Sequence, residues 1–317
     1  GVSLLEVLIS MFVLSVGLLG VAALIPVGRF AIVETAKADR SGACGRAALS
    51  EIKVRRMLEY GYWSDATPAQ TNQAFAIDPL GVASGLNTPL GGAGGPIARI
   101  TLRSFPGPGG NLLTPAEAER IFMWHDDLQF SLPEDIKPRP ADESDRPRAD
   151  LDVLGVPQFA GHYSWLVTVT PAAAEASLPV AEKTLYAVSV VVCYRRDFSA
   201  EGEHTAGVKK FPGSGWGGGS VQLSQVIDVK RNEWIMLCGG GHCKWYRVVS
   251  AGELLVDASS GDPDPNGTPV TVLSLAGPDC PVAWMIDSNG DGLLDAQAVV
   301  IDSVVGVYTG TVELDRD

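Results

Sequence analysis

No lysine or arginine occurs before Arg29, and the single charge in residues 1–28 is Glu6. A secretory signal opens on a basic stretch and carries a shorter apolar run, so that reading fits this segment poorly. No Cys-x-x-Cys pair occurs among Cys44, Cys193, Cys238, Cys243 and Cys280, which leaves thioredoxin-like and zinc-ribbon readings without support. The four histidines (His125, His162, His204, His242) are scattered, and GxSxG, HExxH and phosphate-loop patterns are lacking. The glycine-rich run 213–220 has no lysine and no strand–helix setting, so it reads as a flexible turn. The chain is therefore expected not to be an enzyme. A catalytic pair assembled from distant residues remains an open alternative.

What is present points to a large, β-rich body. The chain has 317 residues, 46% of them apolar, which is enough for a sizeable core. Its 36 glycines and 21 prolines favour many short strands and turns over a helical bundle. The net charge of −13 is uneven: residues 29–60 carry seven bases against four acids, so residues 61–317 hold −15. Such an acidic head repels nucleic-acid phosphate, and no nucleic-acid partner is expected.

Residues 2–28 form a helix-length apolar run of roughly 40 Å, enough to cross a bilayer. A carboxylate in hydrocarbon is costly, about 2.5–3.5 kcal/mol for an acid at a helix centre. No base lies at the depth of Glu6, so the plausible partner is an α-amino group. If that group belongs to an adjacent subunit, the pair sets the axial register of a helical array.

The run Gly1-Val2-Ser3-Leu4-Leu5-Glu6-Val7-Leu8-Ile9 resembles the class III signal of type IV pilins and type II secretion pseudopilins. The resemblance covers these nine residues, and the long helix extends it to about residue 60. It implies that a prepilin peptidase cuts after Gly1, that Val2 becomes the new N-terminus, and that Glu6 is the glutamate used in assembly. Valine departs from the family's usual phenylalanine at Val2. The resemblance further implies storage in the inner membrane, extraction by a pilus assembly machinery, and a homo-oligomeric helical filament outside the cell. A minor pilin or pseudopilin is the first alternative. A membrane-anchored extracellular enzyme or carbohydrate-binding domain is the second.

Gly17, Gly20, Pro26 and Gly28 interrupt the helix pattern, and a kink or unwound stretch is expected within residues 17–28. Beyond it, Ile32, Ala36, Ala43, Ala47, Ala48, Ile52 and Leu58 give a modest apolar stripe, with Gly42 and Gly45 permitting close approach. The expected fold class is α+β: a long N-terminal helix packed on a β-rich antiparallel head. Its divisions are 1–28 (transmembrane or filament core), 29–60 (amphipathic helix) and 61–317 (head). Strands are expected at 97–105, 124–132, 163–170, 185–194, 299–307 and 309–314. Residues 133–147 read as a charged, proline-rich loop.

The clearest hairpin pairs 233–237 with 244–249 around Cys238-Gly239-Gly240-Gly241-His242-Cys243. Two cysteines bracketing a short turn can be directly opposed at disulfide distance. A Cys–His–Cys metal site is the rival reading. A second bridge, Cys193 to Cys280, would leave Cys44 free.

The strongest chemical motif is 287–295, which follows the start of an EF-hand-type loop, D-x-N-x-D-G-x-x-D. Asp287, Asn289 and Asp291 would supply side-chain oxygens, Leu293 its carbonyl, and Asp295 a direct or water-mediated contact to Ca2+. Ala298 stands where the bidentate glutamate belongs, so Asp302, Asp279 or water would have to complete the shell.

Overall fold

The computed structural model describes residues 3–65, 67, 72–104, 110–124, 128–129, 158–159, 162–172, 185–215, 218–257 and 262–313. Gly1 and Val2, most of the expected strand 124–132 and the loop 133–147 lie outside them. The chain is an α+β protein with a long apolar N-terminal helix and a β-rich body. Two compact units, Gly1–Ala43 and Cys44–Asp317, divide within the helix and not at residues 28 and 60.

The helix spans Leu4–Val54 and is continuous through Gly17, Gly20, Pro26 and Gly28. The unwound stretch expected at 17–28 is therefore not present in this chain. A proline inside a helix costs about 3 kcal/mol and each glycine about 1 kcal/mol, and the leucine-, valine- and alanine-rich turns around them sustain the rest of the ladder. The helix stops at Val54, short of residue 60. Arg56 adopts a left-handed conformation (φ 53°). The Met57 amide then donates to the Ile52 carbonyl (3.0 Å) and the Arg56 amide to that of Lys53 (3.3 Å). That is a Schellman ending, and Ile52 and Met57 are both buried in the same core.

Among the described residues the body holds thirteen strands: β1 (Phe75–Ile77), β2 (Ala98–Ile100), β3 (Leu128–Gln129), β4 (Gln158–Phe159), β5 (Tyr163–Pro171), β6 (Leu185–Tyr194), β7 (Glu203–Gly215), β8 (Gly218–Leu223), β9 (Trp234–Gly239), β10 (His242–Val256), β11 (Thr268–Ala276), β12 (Leu294–Ile301) and β13 (Val304–Glu313). Five form a sheet in the order β13-β6-β5-β1-β2, six form a closed barrel in the order β10-β11-β8-β7-β12-β9, and β3 pairs with β4. Pairing is antiparallel except between β1 and β2, which run parallel.

The barrel is an insertion. Strand β6 leaves the sheet at Tyr194, all six barrel strands follow, and β13 returns to pair with β6 from Val304 opposite Cys193. The expected strand 299–307 is accordingly split, with Asp302 and Ser303 forming the turn from barrel to sheet. Of the run 213–220, residues 213–215 end β7 and 218–220 begin β8, and Gly215 pairs with Gly218.

The sheet is buried on both faces. Tyr163, Trp165, Val167, Val169, Val188, Val190 and Val192 share one core with Cys44, Ala48 and Ile52 of the helix. Leu166, Val191 and Cys193 face the other way, into a core shared with Met236 and Val299 of the barrel. The alternation is that of extended strands. Of the expected helical stripe, Ala48, Ile52 and Leu58 are buried, whereas Ile32 and Ala36 are exposed. Cys44, Gly45, Ala48 and Ile52 lie on one face at helical spacing. A β-carbon on Gly45 would sit 2.2 Å from the Tyr308 ring, so only glycine lets β13 approach there.

Candidate functional site

Every residue from Ser3 to Ala36 is exposed, including Leu4 (79%), Phe12 (70%) and Leu19 (72%). The most apolar 18-residue window has a mean hydropathy of 2.6, and none of it is buried. Leaving a large apolar side chain in water costs about 1.5–3 kcal/mol relative to burial. By length and composition the helix is long and apolar enough to cross a membrane. Glu6 stands in the first helical turn, where its charge suits the positive end of the helix dipole. The Glu6 carbonyl accepts from Ser10 Oγ (2.7 Å). The roles expected for Gly1 and Val2 fall outside the described residues.

The aspartate loop closes on its own backbone. Asp287 accepts from the amides of Gly290 (2.7 Å) and Gly292 (3.0 Å), and Asp291 accepts from that of Leu293 (2.8 Å). Asn289 accepts from the Asp291 amide (3.2 Å), and Asp295 from the Ser288 hydroxyl (2.8 Å). Gly290 and Gly292 supply the positive φ that the turn needs. Ala298 lies wholly inside the barrel core, paired with Leu237, so nothing at the twelfth position could reach an ion. Asp302 stands at the far end of β12, about 23 Å along an extended strand from Asp295, and cannot complete the shell. Among the described residues no three acidic, imidazole or thiol side chains converge.

The hairpin turn is held on several sides. Gly240 (φ 55°) and Gly241 (φ 80°) make a type I′ turn between β9 and β10. Cys238 and Cys243 are direct partners across it, and all five cysteines are free, buried thiols. Burial and the hydrogen bond with Cys243 push the Cys238 thiol up. The expected partners of a second bridge stand apart, Cys193 in the core between sheet and barrel and Cys280 in the barrel interior. Burial pushes the Cys44 and Cys193 thiols up to about 12.

One cluster is almost silent in the sequence. Asp78, Arg99, Arg196 and Glu203 come together with side chains at most 2% exposed. Arg196 grips Asp78 through two bonds (2.9 and 2.6 Å) and Glu203 through a third (3.0 Å), while Arg99 pairs with both acids. Burial alone would raise the Asp78 carboxyl, but Arg196 and Arg99 outweigh it and hold it below the usual range. The residues belong to segments far apart in the chain: Asp78 follows β1, Arg99 lies in β2, Arg196 follows β6, and Glu203 opens β7. The cluster ties the sheet to the first barrel strand. The only local hint was Asp78-Pro79, an N-cap before the short helix Pro79–Ala83.

Comparison of the chain with protein-family models, curated proteins and solved structures finds no match.

Proposed function

We propose that this chain is a structural subunit of a type IV pilin-like filament, polymerising through residues 1–28 and carrying the body on the filament surface. The supporting observation is one continuous helix whose first part is apolar and exposed while its last turns are built into the β-rich body. Prepilin peptidase processing at Gly1, storage in the inner membrane and extracellular export belong to this reading. So does a register-setting pair between Glu6 and the amino group of Val2 in a neighbouring copy. A weak calcium contact at Asp287, Asn289, Asp291, the Leu293 carbonyl and Asp295, completed by water, is a further part of it. The inserted barrel makes the body bulky and favours a minor pilin or pseudopilin placed at the filament tip as the second reading.

Electron microscopy of filaments from cells expressing the full chain, Glu6→Ala and a chain lacking residues 1–28 is the test. The truncation is expected to abolish incorporation. Glu6→Ala is expected to lower it about tenfold or more, since a charge-assisted pair contributes about 1.5–3 kcal/mol. Normal incorporation of both variants would overturn the proposal. Labelling restricted to filament ends would select the second reading.

A further inference from the structure

We infer that Cys238 and Cys243 form the protein's single intramolecular oxidation site, a dithiol built to close into a cross-strand disulfide, while Cys44, Cys193 and Cys280 stay reduced. The sequence allowed two bridges, Cys238–Cys243 and Cys193–Cys280; the three-dimensional placement separates them.

The turn geometry carries the argument. With Gly239 and His242 closing the two-residue turn, the next pair along the ladder is Cys238 opposite Cys243. The Cys243 amide points away from β9 and donates to Thr170 Oγ1 of the sheet (3.1 Å). The cysteines therefore occupy a non-hydrogen-bonded pair, in which α-carbons lie about 4.5 Å apart, within the span a disulfide bridges. The surroundings hold both in place. Trp284 Nε1 donates to the Gly239 carbonyl (2.8 Å), the Ala74 amide to that of Gly241 (2.7 Å), and the His242 ring meets the Pro171 carbonyl (3.2 Å). Of the other three thiols, Cys44 lies on the helix side of the sheet, Cys280 lies inside the barrel, and Cys193 shares the core between sheet and barrel with the pair but stands on β6, where its ladder partners are Ser164 and Val304.

Each member of the pair also has an approach. Cys243 lines a cleft of about 600 Å³ with Trp245, Trp284 and Pro171, and Cys238 lines a second cleft of about 470 Å³ beyond the turn. Chemistry proceeds by exchange with an external disulfide. The Cys243 thiolate attacks one sulfur of that disulfide and expels the other as a thiol after proton uptake. The Cys238 thiolate then attacks Cys243 Sγ in the mixed disulfide, closing the internal bond and releasing the second thiol. Two protein thiols are oxidised, and one external disulfide is reduced to two thiols.

Peptide mass mapping of the full chain in detergent, before and after treatment with oxidised glutathione, tests this. Cleavage after Arg231 and Lys244 releases both cysteines in one peptide. That peptide is expected to lose two hydrogens and resist alkylation, while Cys44, Cys193 and Cys280 are alkylated on denaturation. The doubly substituted Cys193→Ser, Cys280→Ser chain is expected to oxidise identically, and the oxidised chain to melt a few degrees higher. A peptide that remains fully alkylatable, a stable glutathione adduct on it, or a link from either cysteine to Cys193, Cys280 or Cys44 would overturn the inference.

Discussion

One helix meets two opposite environments in this protein. Between Leu4 and Val33 its large apolar side chains are all exposed, whereas around Cys44, Ala48 and Ile52 even small side chains are wholly enclosed. The first stretch is far more hydrophobic, yet the second is the one that is buried. Hydrophobicity decides that a surface must be covered. Spacing and size decide what can cover it within the same chain. A stripe of small residues at 44, 45 and 48 lets a sheet lie close, while leucine, valine and phenylalanine on every side leave no single face to dock.

Four expectations sharpen that contrast. The largest effect is loss of assembly on removing residues 1–28, and the same truncated chain should keep the body's unfolding midpoint. Calorimetry reads this, and a body that unravels would erase the distinction between the two stretches. Next, Asp78→Asn leaves two buried guanidinium groups short of an acid and should cost about 3–5 kcal/mol by denaturant unfolding. Because the Asp78 carboxyl is held below its usual value, its contribution is fully present above the unfolded value, about 3.9. It is lost as pH falls through the depressed folded value. Wild type should therefore lose stability below about pH 4, and the Asn variant should lose less over that range.

Glycine substitutions divide the helix directly. Gly45→Leu drives a side chain into the Tyr308 ring and should destabilise the body by about 1–3 kcal/mol. Gly20→Leu meets no atom within 4 Å and should leave the same unfolding curve in place. Smallest is calcium. With an affinity of about 10⁻⁴–10⁻³ M, a 10 mM excess should stabilise the body by about 1.4–2.7 kcal/mol, and chelator should reverse it. An unchanged melting curve would show that the loop stands on its backbone hydrogen bonds alone.

Local pattern was legible where one short stretch held all the information. Strand β6 covers 185–194, as its valine-rich run predicts, and β5 adds one residue to the expected 163–170. The glycine turn between Cys238 and Cys243 sits where the sequence placed it, although β10 runs on to Val256. The helix end was read late, because Arg56 in a left-handed conformation carries no glycine to announce it. The barrel was not read at all. Its closure joins β7 and β9 to β12 and β8 to β11 across long separations, and only the register of those pairings distinguishes a barrel from a second open sheet. The acid–base cluster stayed hidden for the same reason: Asp78 and Glu203 are far apart in the chain, and Arg99 and Arg196 bridge them only in the folded structure.

The sequence by itself determined the apolar helix with its solitary Glu6, the valine-rich strands, the glycine turn between two cysteines and the acidic loop at 287–295, because each depends on the order of neighbouring residues. Only the tertiary structure decided which turns of the helix are enclosed, that the barrel interrupts the β6–β13 pair, which two of five thiols face one another, and that Ala298 belongs to a core. Those outcomes depend on which distant surfaces come within contact distance, and chain order constrains that weakly once loops are free to close.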